Sequence, residues 1–104
     1  MENVTKTLDP TRVTPATHKA VFENDRVRVV DINVKPGAKV PMHSHPQLIA
    51  VGLGENCEIK FASPDGKEQR VEFKSGDMAW REAESHSAEN IGSTECHALN
   101  IEFK

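Results

Sequence analysis

Apolar residues along this chain recur with a period of two, and no window of ten or more residues carries a convincing 3.6-residue apolar period. Side chains two apart share one face of a strand, so this pattern predicts strands. Val27 and Val29 alternate with Arg26 and Arg28; the phase then slips, and Val30, Ile32 and Val34 alternate with Asp31, Asn33 and Lys35. A one-residue slip predicts a bulge or bend. Pro36-Gly37 is a turn pair, and Leu48 to Leu53 is a short apolar run suited to a buried strand. Cys57, Ile59 and Phe61 alternate with polar neighbours up to the Ser63-Pro64-Asp65-Gly66 turn, and Val71 and Phe73 alternate on the return, which predicts a hairpin over 57–74. Ser75-Gly76-Asp77 is a further turn, and short strands follow at Met78–Arg81, His86–Asn90 and Cys96–Phe103. Seven or eight such strands predict an all-β sandwich or barrel, and periodicity leaves open an immunoglobulin-like sandwich, a jelly roll or a small barrel. Residues 1–17, rich in Thr with Pro10 and Pro15, read as an extended N-terminal arm ahead of a single domain over 18–104.

The chain has 104 residues, 28% of them charged, and a net charge of −3. A nucleic-acid or anionic-membrane partner calls for a basic patch, so neither is expected. No apolar run approaches the ~20 residues that span a bilayer, and MENVTKTLDP contains no apolar signal core, so a cytoplasmic protein is expected. Cys57 and Cys96 form no CxxC pair and read as reduced, buried thiols. A domain of this size buries only about 60–70% of its unfolded surface. A homodimer is therefore expected, with sheet edges covered by pairing and residues 4–23 as the crossing segment.

The candidate chemistry lies in the histidines. His43 and His45, in Pro41–Pro46 (PMHSHP), stand two apart in a stretch without helical signals. On a strand both imidazoles face one side and can reach a single ion at about 2.0–2.1 Å. A third histidine must come from elsewhere, and the candidates are His18, His86 and His97. His86 stands out because its short strand, like that of His43, leaves a Gly turn.

With these residues in place, the sequence resembles the cupin superfamily. PGAKVPMHSHPQLIAVGLG supplies Gly37, His43 and His45 of the first motif, G-x5-H-x-H followed by Glu. GDMAWREAESHSAEN supplies Gly76, His86 and Asn90 of the second. The resemblance implies a cupin-type jelly-roll barrel, the double-stranded β-helix. It implies a divalent transition metal (Fe, Ni, Zn, Cu or Mn) held by His43, His45 and His86. Two departures stand out. Ile49 and Ala50 occupy the positions of the motif's Glu, which leaves Gln47 as the nearest polar side chain and a candidate weak ligand. Glu82 and Glu84 replace the Pro and Gly of the second motif and read as exposed turn residues.

Three imidazoles leave an ion its full charge and open positions, which suits catalysis. Cupins that resemble this chain include three-histidine dioxygenases, isomerases and small-ligand binders. The sequence therefore implies a metal-binding cupin acting on a small polar metabolite as a dioxygenase or isomerase, a non-enzymatic small-ligand module, or a barrel with a vestigial site. His97 shares the parity of Leu99, Ile101 and Phe103, the expected buried face, and reads as a core or interface histidine. His18 reads as structural or exposed, Trp80 and Met78 as core, and Arg26 and Arg28 as a solvated face.

Overall fold

The alternating segments pair as antiparallel strands in the computed structural model, which describes residues 8–104. One helical turn, α1 (Pro10–Val13), precedes nine strands: β1 (His18–Glu23), β2 (Val27–Val34), β3 (Lys39–His45), β4 (Leu48–Gly52), β5 (Cys57–Ala62), β6 (Glu68–Phe73), β7 (Met78–Arg81), β8 (Glu84–Asn90) and β9 (Cys96–Phe103). They form a five-stranded sheet, β1-β2-β9-β4-β7, and a four-stranded sheet, β3-β8-β5-β6. Val30, Val34 and Leu48 from the first sheet and Val40 and Ile59 from the second are buried, which places the core between the sheets. The all-β jelly-roll expectation holds, but the two sheets do not close into a barrel among the described residues.

Gly37 and Gly76, the leading glycines of both motifs, have φ of 80° and 87°. That left-handed geometry is open to Gly without a Cβ clash, and it aims β3 and β7 out of their turns. Asn90 is fully buried, its Nδ2 donating to the Val34 and Thr94 carbonyls and its Oδ1 accepting from Gly92 N–H, so it holds the turn after β8.

Several expectations are corrected. β2 runs in unbroken register with β9, from Val27↔Phe103 to Val34↔Cys96, so the phase slip is not a bulge in β2. Val27 and Val29 lie on the outer face, Val30 and Val34 on the inner, and the strand is apolar on both sides. The register shift lies on β1, between Ala20 and Phe22. Because the inner parity of β9 is Cys96, Ala98, Asn100 and Glu102, the face bearing Leu99, Ile101 and Phe103 points outward. Trp80 and Met78 are 52% and 67% exposed rather than core.

Arg28 is not solvated: its guanidinium meets Asp9 at 2.9 Å and Glu102 at 2.9 Å. Asp9 also caps α1 through Thr11 N–H, so the arm is held by a charged clasp and is helical at Pro10–Val13 rather than extended throughout. The rest of the expected arm, residues 1–7, lies outside the described residues.

Cys57 and Cys96 are joined in a disulfide with Cα atoms 5.4 Å apart, within the usual span. They are buried, as expected, but not reduced. The bond links β5 to β9 and therefore one sheet to the other.

Candidate metal centre

Strand pairing assembles the centre. His43 on β3 and His86 on β8 are direct cross-strand partners, and His45 follows His43 by two on the same face. All three are buried, at 3%, 5% and 3% exposure for His43, His86 and His45. Ring centroids are 4.8 Å apart for His43 and His86 and 4.9 Å for His45 and His86. Imidazoles sharing one ion through nitrogen at ~2.1 Å, at angles between octahedral and tetrahedral, have centroids about 4.5–5.3 Å apart; the His43–His86 and His45–His86 pairs have that spacing, while His43 stands outside the group of ligand atoms that lie within 4.8 Å of one another.

Each ring is oriented through the same nitrogen. His43 Nδ1 donates to the Pro41 carbonyl at 2.8 Å and His45 Nδ1 to the Pro46 carbonyl at 2.7 Å. A carbonyl only accepts, so the proton sits on Nδ1 and the Nε2 lone pair is left for a ligand. His86 Nδ1 donates to Glu84 Oε2 at 2.6 Å, the carboxylate–histidine arrangement found behind metal ligands. Burial, reinforced by neighbouring imidazoles, pushes His86 down to about 3, and burial also lowers His43 and His45. The three rings are thus neutral at pH 7, the form that binds metals.

Glu84 is the residue that the sequence reading missed. It opens β8 rather than sitting in a free turn, and its Oε2 also accepts from Arg81 Nη2 at 2.8 Å. Burial raises its pKa, but hydrogen bonds from Arg81 and His86 outweigh that and hold the carboxyl below its ordinary value. Among the described residues, His45, Glu84 and His86 form a group whose ligand atoms all lie within 4.8 Å of one another, and it could hold a metal ion. The i, i+2 spacing of Glu84 and His86 was the available signal, since it puts both side chains on one face of a strand.

Gln47 does not join the centre. It is exposed, its Nε2 donates to Glu82 Oε1 at 3.1 Å, and it lies after Pro46, where the parity of β3 has ended. Glu82 is exposed, as expected, and also accepts from Trp80 Nε1. His97 is on the outer parity of β9 and meets Asp31 Oδ1 at 2.7 Å. His18, read from the sequence as structural or exposed, is buried at 5% exposure, with its ring 5.2 Å from that of His43.

A cavity of about 90 Å³ lies between the sheets. His18, His43, His45, His86 and Arg81 line part of it, while Val34, Val40, Cys57, Ile59, Phe73 and Cys96 are among its apolar walls. One ordered water needs roughly 10–15 Å³ on this measure, so there is room for several waters or a small ligand. The Arg81 guanidinium lies 4.6 Å over the Phe61 ring.

No family model and no curated protein matches this sequence. Solved structures do. A cupin domain from Bordetella pertussis Tohama I superposes with a TM-score of 0.75 at 24% identity, over 84% of this chain and 91% of that one. A protein with a double-stranded β-helix domain from Klebsiella pneumoniae gives 0.63 at 21% identity, over 97% and 86%. A polyketide cyclase from Streptomyces resistomycificus gives 0.59 at 20% identity, over 83% of this chain and 63% of that one. The fold of this chain is that of a small cupin, the double-stranded β-helix.

Proposed function

We propose that this chain is a metal-binding cupin in which the Nε2 atoms of His43, His45 and His86 hold one divalent transition metal at the cavity wall. The observation that carries this reading is the set of buried, neutral imidazoles, each fixed through Nδ1 with Nε2 left over. Glu84 acts through His86: an oxygen 2.6 Å from Nδ1 is at hydrogen-bond distance, and an ion shared by those two atoms at ~2.1 Å would subtend only about 76°. Imidazole donors favour Fe, Ni, Cu or Zn over harder ions such as Mn²⁺.

The ligand is a small molecule with a polar or anionic head and an apolar body. The head faces the histidines and Arg81, and the body lies against Val34, Val40 and Ile59. The apolar walls narrow the expectation of a merely polar metabolite. A metal bound here supplies Lewis acidity, or redox chemistry if the metal is iron or copper. The buried rings hold their protons on Nδ1, away from the ligand. Metal-dependent oxygenation or isomerisation of such a ligand is the enzymatic form of this proposal, and ligand binding without turnover is the other.

Elemental analysis of untagged protein tests the metal: about one ion per chain is expected, and a chain that takes up no Fe, Ni, Zn, Cu or Mn ends the reading. Oxygen uptake by the iron-loaded protein across a metabolite panel then separates oxygenase from binding module.

A further inference from the structure

We infer that the cavity takes a short-chain hydroxy acid, with Arg81 receiving its carboxylate and Asn100 its hydroxyl. This deepens the ligand reading above and rests on it: the anionic head becomes a carboxylate, and a second polar group is placed beside it.

Arg81 ends β7 in an inner row that it shares with Leu48 and Glu102. Its side chain is 18% exposed and lines the cavity. The guanidinium is held from two directions. Its central carbon lies 4.6 Å over the Phe61 ring, and its Nη2 donates to Glu84 Oε2 at 2.8 Å. Nε and Nη1 make no hydrogen bond among the described residues. A guanidinium carries five N–H donors in one plane, and a carboxylate accepts two of them side by side. A group already fixed by its neighbours loses little freedom when the ligand arrives.

Asn100 lies on the inner parity of β9, between Val30 of β2 and Ala50 of β4. Val30 is fully buried and Ala50 is buried, so the amide stands in an apolar stretch of wall. It lines the cavity, and its side chain makes no hydrogen bond among the described residues. An amide set among apolar neighbours without a partner costs stability, and a ligand group relieves that cost.

The registers fix what this amide faces. Its row lies between the Arg81 row and the row of Ala98, Ile32 and His18, and the His18 ring is 5.2 Å from that of His43. Asn100 therefore looks across the cavity toward the histidines, with Arg81 one row away. A ligand head seated at the histidines meets both. An amide offers a donor and an acceptor, and a hydroxyl answers both because it too donates and accepts. A site built for a hydroxyl rejects the analogue that lacks it, since its own polar group is then left unpaired. The cavity of about 90 Å³ keeps the carbon chain short, and Val34, Val40 and Ile59 are the apolar wall for it.

Chemical-shift titration by NMR tests this, first on metal-free protein, where no ion adds to the affinity. The probes are 2-hydroxypentanoate, 3-hydroxypentanoate, pentanoate and the amides of the two hydroxy acids. At least one hydroxy acid should bind about tenfold more tightly than pentanoate, and more than about tenfold more tightly than its own amide. Asn100→Ala should erase the hydroxyl preference alone, and Arg81→Gln the carboxylate preference alone. General loss of packing would not split the two. Equal binding of hydroxy acids and pentanoate, or a preference that survives its substitution, overturns the inference. The wild-type series decides alone if a variant does not fold. Zinc uptake judges the metal separately: a chain that refuses zinc but keeps both preferences loses the metal and retains the hydroxy acid. If no probe binds with or without zinc, the ligand reading fails and the inference with it.

Discussion

The cavity has two differently built regions, one at His43, His45 and His86 and the other around Cys57 and Cys96. Along β8 the chain passes from His86 to Asn90, which lies opposite Ile59, two residues from Cys57. In the first region polar rings are buried and held one by one through hydrogen bonds to Pro41, Pro46 and Glu84. In the second, Val34, Val40, Cys57, Ile59 and Cys96 pack as one apolar cluster, and a disulfide ties the sheets together. Buried imidazoles without an ion add little to stability, whereas the apolar cluster and the cross-link add a great deal. The lesson is a division of labour: one region keeps the sheets together, so the other can keep polar groups out of water for chemistry.

If that division holds, substitutions should separate cleanly. His45→Ala should lower metal affinity by about three orders of magnitude, a quarter to a third of the ~10–16 kcal/mol of a structural zinc site. Metal titration checks this, with Gln47→Ala as the unchanged control. The metal-free His45→Ala protein should lose less than about 1 kcal/mol of stability. Converting both Cys57 and Cys96 to Ala should do the reverse. Their separation of 39 residues gives a loop-closure contribution of about 4 kcal/mol, read from urea unfolding, with metal stoichiometry unchanged.

Ile59→Ala should cost about 3 kcal/mol by the same measurement, as expected for a residue 6% exposed, and should leave metal uptake alone. A large loss of metal binding in either disulfide-region variant would break the comparison. Glu84→Gln weakens the acceptor behind His86 without removing a ligand, so metal affinity should fall only ~10–100-fold. A loss as large as that of His45→Ala would instead make Glu84 a direct ligand.

The smallest effect per step is the acid sensitivity of the metal-free protein. Burial, with smaller contributions from neighbouring imidazoles, lowers His18 and His86 from 6.5 to about 3 in the folded chain. The unfolded chain therefore binds more protons between those values. The stability these neutral rings allow is complete above pH 6.5 and is lost as pH falls toward 3, by at most about 1.4 kcal/mol per pH unit for each ring. Urea midpoints measured from pH 7 to pH 4 check the sign, and bound metal should flatten the slope.

Much of this was legible in the chain. Strand limits at Met78–Arg81 and Cys96–Phe103 match the alternation residue for residue, and the hairpin over 57–74 appears as β5 and β6. The glycines of both motifs take the left-handed turns their spacing implied. The spacing of His43 and His45 and the place of His86 were readable because period two fixes which side chains share a face.

What period two does not fix is which face is the inner one. β2 is apolar on both sides, so its alternation carries two answers; on β9 alternation pointed to the face of Leu99, Ile101 and Phe103, and packing turned the face of Cys96, Ala98, Asn100 and Glu102 inward instead. The disulfide, the burial of His18 and the placing of Glu84 behind His86 belong to the same class. Each depends on two segments distant in sequence meeting across or within the sheets, and local sequence holds no distance between them. The sequence by itself determined the strands, the turns and two of the ligand-bearing faces, because those follow from neighbouring residues. The tertiary structure alone decided what lies inside, because burial is a property of the sheet pair and not of any strand.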